Sequence, residues 1–390
     1  MSGSGPEDPF GGIPFLGDLA KMLQGAGGLG GWDAARQFAV QVATGGAPED
    51  NPDPRDRLAL EELARVAELH VGATTGLDVG QTGRPVTVVP VTRAEWARRT
   101  VDAWRPLLEK LSQALTGPAL AQSADLDLDD DSPDAAMFGP LLQLLAPMML
   151  GLQAGSMVGH LATRSLGQYD LPIPRPPSDE LVVVDRNVRE FGEEWSLPRD
   201  DLRLWICLSE VATHTVLGVP HVRERMWRLL EQHVTSFSLD TSAIEQALGS
   251  VDPSDPEALQ EALGDPAALL GTIQSEAQKS LLPELSALTA VIVGYVDHIM
   301  DSVGTTLIGS YGMLTEALHR RRVEAAAADR FVEHLLGLEM GREQYERGER
   351  FVAGVLERGG DLGRLFTKAE HLPTPNEVDA PGLWLARIDL

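Results

Sequence analysis

Apolar positions recur with a helical period along most of the chain and alternate with a period of two almost nowhere, so the sequence predicts a mainly α protein with a few short strands. After a Gly-rich entry over residues 1–31, helical spacing runs from Trp32 to about Val42 and from Pro54 to about His70. PVTVVPVT, residues 85–92, reads as the first strand, and Pro90 suggests an edge or a short strand. Thr92 and Glu95 have the spacing of a capping box, for a helix running to about Leu115. Leu181 to Val184 is the clearest strand; a short helix from Asp185 to near Trp195 follows it, and then a buried helix from Asp200 to Leu217 that Gly218 and Pro220 should end. A strand placed just before such a helix can offer its edge to an extended chain. Downstream the pattern gives a long apolar helix from about Leu282 to Val303, charged helices over residues 335–360, and a Pro- and Gly-punctuated end in which Trp384 packs down.

Two stretches break the periodicity. Gly117 to Asp134 contains AQSADLDLDDDSPD, whose Asp spacing lacks the Gly and terminal Glu of a calcium loop, so it reads as a solvated linker. It divides the chain into an N-terminal helical segment 1–118, an acidic linker 119–136 and a larger domain 137–390. Ala135 to Thr163 has no charged residue, but Pro140, Pro147, Gln143 and Gln153 interrupt it, so it reads as a core helix and not as a membrane span. Gly151, Gly155 and Gly159 form a flat stripe on which another helix can lie.

Composition narrows the classes. The chain of 390 residues is 43% apolar, enough for a large core, and its formal net charge of −26 repels phosphate backbones and anionic lipid heads. Neither nucleic acid nor membrane is an expected partner. Cys207 is the only cysteine, which excludes an intrachain disulfide and a Cys-rich zinc site, and its apolar setting makes it a core residue. The start MSGSGPEDPFGGIPF has no basic region followed by an apolar run, so a cytoplasmic location is expected.

The candidate chemistry lies on the helix from Asp200 to Leu217. A zinc peptidase carries H-E-x-x-H there: two His one turn apart bind the metal, and the Glu beside the first activates water. Here the five positions read Ser209, Glu210, Val211, Ala212 and Thr213. Hydroxyls, which are poor zinc ligands beside imidazole, replace both His, while the general-base carboxylate remains. Glu210 and His214 are one turn apart, so they either pair as a buried carboxylate and imidazole or supply half of a relocated metal site, with Asp297 as a further donor.

Several longer motifs occur in one order: PFGGIPFLGDLAKML, WDAARQFA, the YDLPIP connector, VDRNVREFGEEWSLPRDDLRLW, LLGLEMGREQYERGERFV and LPTPNEV. By these the chain resembles the actinobacterial zincin-like metallopeptidases, a family known as zinc-dependent metalloproteases and loosely associated with deazaflavin cofactor biosynthesis. The resemblance implies a zincin-like metallopeptidase fold over 137–390. Carried over position by position, the first zinc ligand falls on Ser209, the base on Glu210 and the second ligand on Thr213, while the neighbouring His is kept as His214. The family's later E-G-H-A-E run reads VGYVD here, so Val293 stands for the first carboxylate and Asp297 for the second. The resemblance therefore implies a catalytically silent homologue without a zinc cofactor, acting by binding a protein or peptide such as an active paralogue. The alternative it leaves is an active zinc metallopeptidase with a rearranged site of Glu210, His214 and Asp297.

Overall fold

The computed structural model describes residues 31–125, 151–152, 154–237, 275–323, 327–338 and 340–389. Helix α1 (Gly31–Thr44) is followed by α2 (Pro54–Thr75), which starts where Asp53 accepts the Arg55 amide and Pro54 takes the first helical position. It stops at Gly76, whose φ of 66° suits the left-handed cap. Strand β1 (Thr87–Val91) leads into α3 (Arg93–Asp125), and Thr92 accepts the Glu95 amide at 3.1 Å as the spacing predicts. Helix α3 runs past the expected stop near Leu115 to Asp125, so the first part of the expected acidic linker is helical; a proline within a helix removes one hydrogen bond without necessarily ending it. The rest of that linker and the first part of the charge-free stretch lie outside the described residues.

The remainder of the charge-free stretch enters as helix α4, residues 154–162. Its glycines meet α1 as the stripe predicts: a Cβ on Gly155 would sit 2.5 Å from the Ala35 carbonyl oxygen, and one on Gly159 would overlap Val42. Strand β2 (Glu180–Val184), α5 (Asp185–Glu194), α6 (Arg199–Gly218) and α7 (Pro220–Thr235) follow close to the predicted bounds. Helix α8 (Glu276–Leu307) starts earlier than its apolar run, because Ser275, seven residues before Leu282, forms a capping box with Gln278. It is long and apolar enough to cross a membrane, yet it is mostly buried, packing on α6, α7 and a later helix, α11 (Arg342–Leu356). Between them lie α9 (Tyr311–Val323) and α10 (Ala327–Leu335). The chain closes with α12 (Pro375–Asp379) and α13 (Pro381–Ile388), and Trp384 is fully buried with its indole N–H donated to the His371 carbonyl at 2.6 Å.

Among the described residues the two strands form one parallel pair, in the register Thr87↔Glu180 to Val91↔Val184. The segment before the acidic run and the domain after it are thus joined through a backbone ladder, and α2 packs directly on α6. Their apolar residues belong to one continuous core.

Candidate functional site

Helix α6 is placed by what precedes it. Asp200 and Asp201 lie in its first turn, where the helix dipole favours negative charge, and the buried Arg203 one turn on reaches Asp56 of α2 at 2.8 Å and Asp185 of α5 at 3.6 Å. This fixes the rotation of α6, so that residues 209, 210 and 213 turn toward α8. Helix α8 is held from its other side by α11, where the Gly294 backbone packs on the Gly348 backbone.

Between α6, α8 and α9 lies a cavity of about 90 Å³. Ser209, Glu210 and Thr213 line it from α6, Val293 and Asp297 from α8, and Arg321 and Arg322 from the end of α9. The structure thus brings together every position the sequence assigned to the degenerate ligand set. It leaves His214 off the cavity wall.

Most of the polar groups are already engaged. The Thr213 hydroxyl donates to the Ser209 carbonyl at 2.9 Å, a bond within its own helix. Val293 is buried and offers no donor atom. Asp297 faces Arg322 at 3.4 Å, and the Arg322 guanidinium lies 4.6 Å from the centre of the Tyr345 ring. Arg321 bonds Asp170 at 2.9 Å and the Arg164 carbonyl at 2.6 Å.

Glu210 does not bond His214, contrary to the buried pair expected from their spacing. Its carboxyl accepts backbone amides from the loop that enters β2: Gln168 N–H at 2.8 Å and Tyr169 N–H at 3.1 Å. Residue 167 must be glycine for this, since a Cβ there would overlap the Glu210 carboxyl. The far side of the loop is held as firmly: Arg175 donates to the Gln168 carbonyl at 3.3 Å and the Trp96 indole to the Gly167 carbonyl at 2.7 Å. Burial, with Asp170 close by, raises the Glu210 pKa to about 8 against the pull of the two amides.

His214 is turned to the other side of the same loop. Its Nδ1 lies 3.0 Å from the Tyr169 hydroxyl and 3.2 Å from the Gln81 amide nitrogen, so Nδ1 accepts and Nε2 carries the proton, buried without a partner. Burial pulls its pKa down to about 4, which keeps the ring neutral. Gln81 is presented by a turn whose amides converge on Asp179.

The sequence reading missed the 167–169 backbone, Gln81 and the two arginines. Only the arginines had a visible signal, the run HRRRV ending α9 in a strongly acidic chain. It also expected the edge of β2 to be open, and here the structure corrects it. One edge pairs with β1, and on the other Gly167 forms an antiparallel bridge with Val183 while Leu166 accepts the Val184 amide at 2.9 Å. The chain's own loop sits where an extended substrate would add.

The donors present do not fit the zinc of a zincin. That ion needs three protein ligands converging on it with a fourth position open, and among the described residues no group of three or more His, Cys, Asp or Glu is placed to hold an ion. The rearranged set of Glu210, His214 and Asp297 is split between loop amides, the Tyr169 hydroxyl and Arg322.

A family model of zincin-like metallopeptidases matches residues 31–385. Among solved structures the chain is similar to a protein from Chloroflexus aurantiacus described as a candidate hydrolase with a novel fold: TM-score 0.62, 24% identity, 92% of this chain and 98% of that one covered. At that identity the likeness shows a shared fold. No curated protein matches.

Proposed function

The chain belongs to the zincin-like metallopeptidase family, and from that premise we propose that it is a silent member, which keeps the scaffold, has given up the metal chemistry and acts by binding a protein or peptide. The observation that carries this is the cavity itself: the positions assigned to the ligands meet there as a backbone-bonded threonine, a serine and a valine, with an arginine–aspartate pair beside them. Zincin hydrolysis needs a Lewis acid to lower the pKa of a bound water and a carboxylate free to take its proton. Glu210 is buried, raised to about 8 and bonded to loop amides, so it is poorly placed to take a proton at neutral pH. The loop bonded to Val183 and Val184 weighs the same way, since it takes up that end of the β2 edge where a peptide could extend.

Metal analysis of the purified protein is the test. The expected result is well under one zinc per chain, no chelator-sensitive peptidase activity, and the same unfolding temperature with and without chelator, because an ion that does not bind adds no linkage stabilisation. Restoring Ser209→His and Thr213→His together with Val293→Glu should bring zinc uptake back. Stoichiometric zinc in the unmodified protein, lost on Glu210→Ala or His214→Ala, would overturn the reading in favour of a rearranged metallopeptidase.

A further inference from the structure

Away from the α6–α8 cavity, an open pocket of about 540 Å³ lies between α3, the proline-rich connector before β2, and α7. Its apolar wall is Ala103 and Pro106 of α3, Pro174 and Pro176 of the connector, and the half-buried Trp227 of α7. Three arginines share the pocket, and among the described residues none of them is in an ion pair, although acids outnumber bases 58 to 32 in the chain. Arg175 holds its guanidinium 5.8 Å from the ring centres of both Trp96 and Trp104. Its Nη2 bonds the Thr100 hydroxyl at 2.9 Å and the Gln168 carbonyl at 3.3 Å; Nε is sealed without an acceptor, while Nη1 is neither bonded nor sealed. Burial pulls its pKa down to about 10, because no carboxylate stands beside it to offset the loss of solvent. Arg223 and Arg228 come from α7. Of the two acids on the same wall, Glu231 is taken by Lys110, which leaves Glu224 alone against three arginines, an excess of two positive charges.

We infer that this pocket binds a small organic dianion with a flat apolar body, its charges met by Arg175, Arg223 and Arg228 and its body by Trp227. The site is separate from the positions that match the metal ligands, so it stands whether or not the silent reading holds. Charge sets the sign and the number: a guanidinium held partly out of water without an acid is costly, and an anion is what offsets it. Guanidinium forks match carboxylate and phosphate oxygens alike, so the two negative charges can sit on one phosphate head or on two carboxylates. Size follows from the pocket and from the rest of the surface. About 540 Å³ falls within the roughly 300–1,000 Å³ of small-molecule sites. A nucleic acid or an acidic protein would also have to meet a surface whose formal net charge is −26, whereas a small ion feels chiefly the arginines within a screening length of about 8 Å. The body is assigned by the wall, where an indole and three prolines offer flat faces and the arginine planes can stack on a ring.

Calorimetric titration of the intact chain at low salt tests this with four probes: phenyl phosphate, isophthalate, benzoate and inorganic phosphate. Phenyl phosphate or isophthalate should bind about tenfold more tightly than benzoate, which has the ring and one charge, and than inorganic phosphate, which has the charge and no ring. Whichever of the two is tighter tells whether the charges belong on one head or on two. Replacing Arg223→Gln and Arg228→Gln together should bring the dianion down to the level of benzoate; both side chains reach solvent, so the unfolding temperature should stay unchanged. Trp227→Leu should weaken the aromatic dianion a few-fold and leave inorganic phosphate as it was, and it carries the test if the double variant does not fold. Binding of none of the probes would overturn the site, as would binding that survives the arginine replacements. Benzoate binding as tightly as the dianions would overturn the double charge, and inorganic phosphate doing so would reduce the site to an adventitious ion only.

Discussion

Ser209 and Thr213 along one edge of α6, and Glu210 and His214 along the next, are equally spaced and belong to the same two turns, but they differ in what depends on them. The first edge faces a cavity and is tied to nothing beyond its own helix. The second is built into the fold: Glu210 holds the Gln168 and Tyr169 amides, and His214 meets the Tyr169 hydroxyl and Gln81. Glu210 and His214 are thus residues the scaffold needs, whereas the Ser209 and Thr213 side chains are ones it can spare. The identity of Glu210 is accounted for by the loop it holds.

Removing the carboxyl puts the most strain on this contrast. Glu210→Ala leaves two buried amides without acceptors, each at about 1–3 kcal/mol, so urea unfolding should show a loss of about 3 kcal/mol or more. A loss under about 1 kcal/mol would make the two edges equivalent and break the comparison. Gly167→Ala should cost about 1–3 kcal/mol by overpacking against the carboxyl. Combined with Glu210→Ala its effect should shrink, because the group it collides with is gone, and full additivity of the two losses would show that they are not in contact.

Acidity separates the two members of the built-in edge. Burial raises Glu210 from 4.5 to about 8, so between those values the folded state keeps a proton that the unfolded chain has released, and this contribution to stability falls as pH rises through the window. Burial lowers His214 from 6.5 to about 4, so there the unfolded chain holds the extra proton and stability falls as pH drops from 6.5 toward 4. Glu210→Gln cannot titrate, and its urea midpoint should gain on that of the unmodified protein as pH rises from 4.5 to about 8. The opposite trend would mean that the loop amides hold Glu210 ionised. The smallest effects belong to the spare edge: Ser209→Ala and Thr213→Val should each change unfolding free energy by about 0.5 kcal/mol or less.

Much of this was legible in the sequence. The bounds of α6 follow from its apolar period and its Gly218–Pro220 stop, β2 from its run of valines, and the approach of α4 to α1 from glycines four residues apart. The cavity positions were legible too, because residues four apart on a helix share a face whatever their side chains. The partners of Glu210 were not, since backbone amides supplied by a distant loop leave no letter at the position that uses them. The covered edge of β2 was hidden for the same reason: Leu166 and Gly167 act there through main-chain atoms, and only the overlap at Gly167 explains its identity. The helical stretch beyond Leu115 was misread because Gly117 and Pro118 are strong stop signals locally, and a local signal does not decide a long helix.

The parallel ladder between β1 and β2 bears on how the chain can be divided. A cut anywhere in the acidic run leaves one strand on each fragment, each with a row of unpaired amides and with Val88, Val89 and Val91, or Leu181 to Val184, stripped of cover. Among the described residues neither half keeps a second strand for its own, and a lone strand has no hairpin partner to fall back on. The halves are therefore expected to be insoluble when made separately and to recover solubility when made together, in the manner of a split protein whose pieces complement one another.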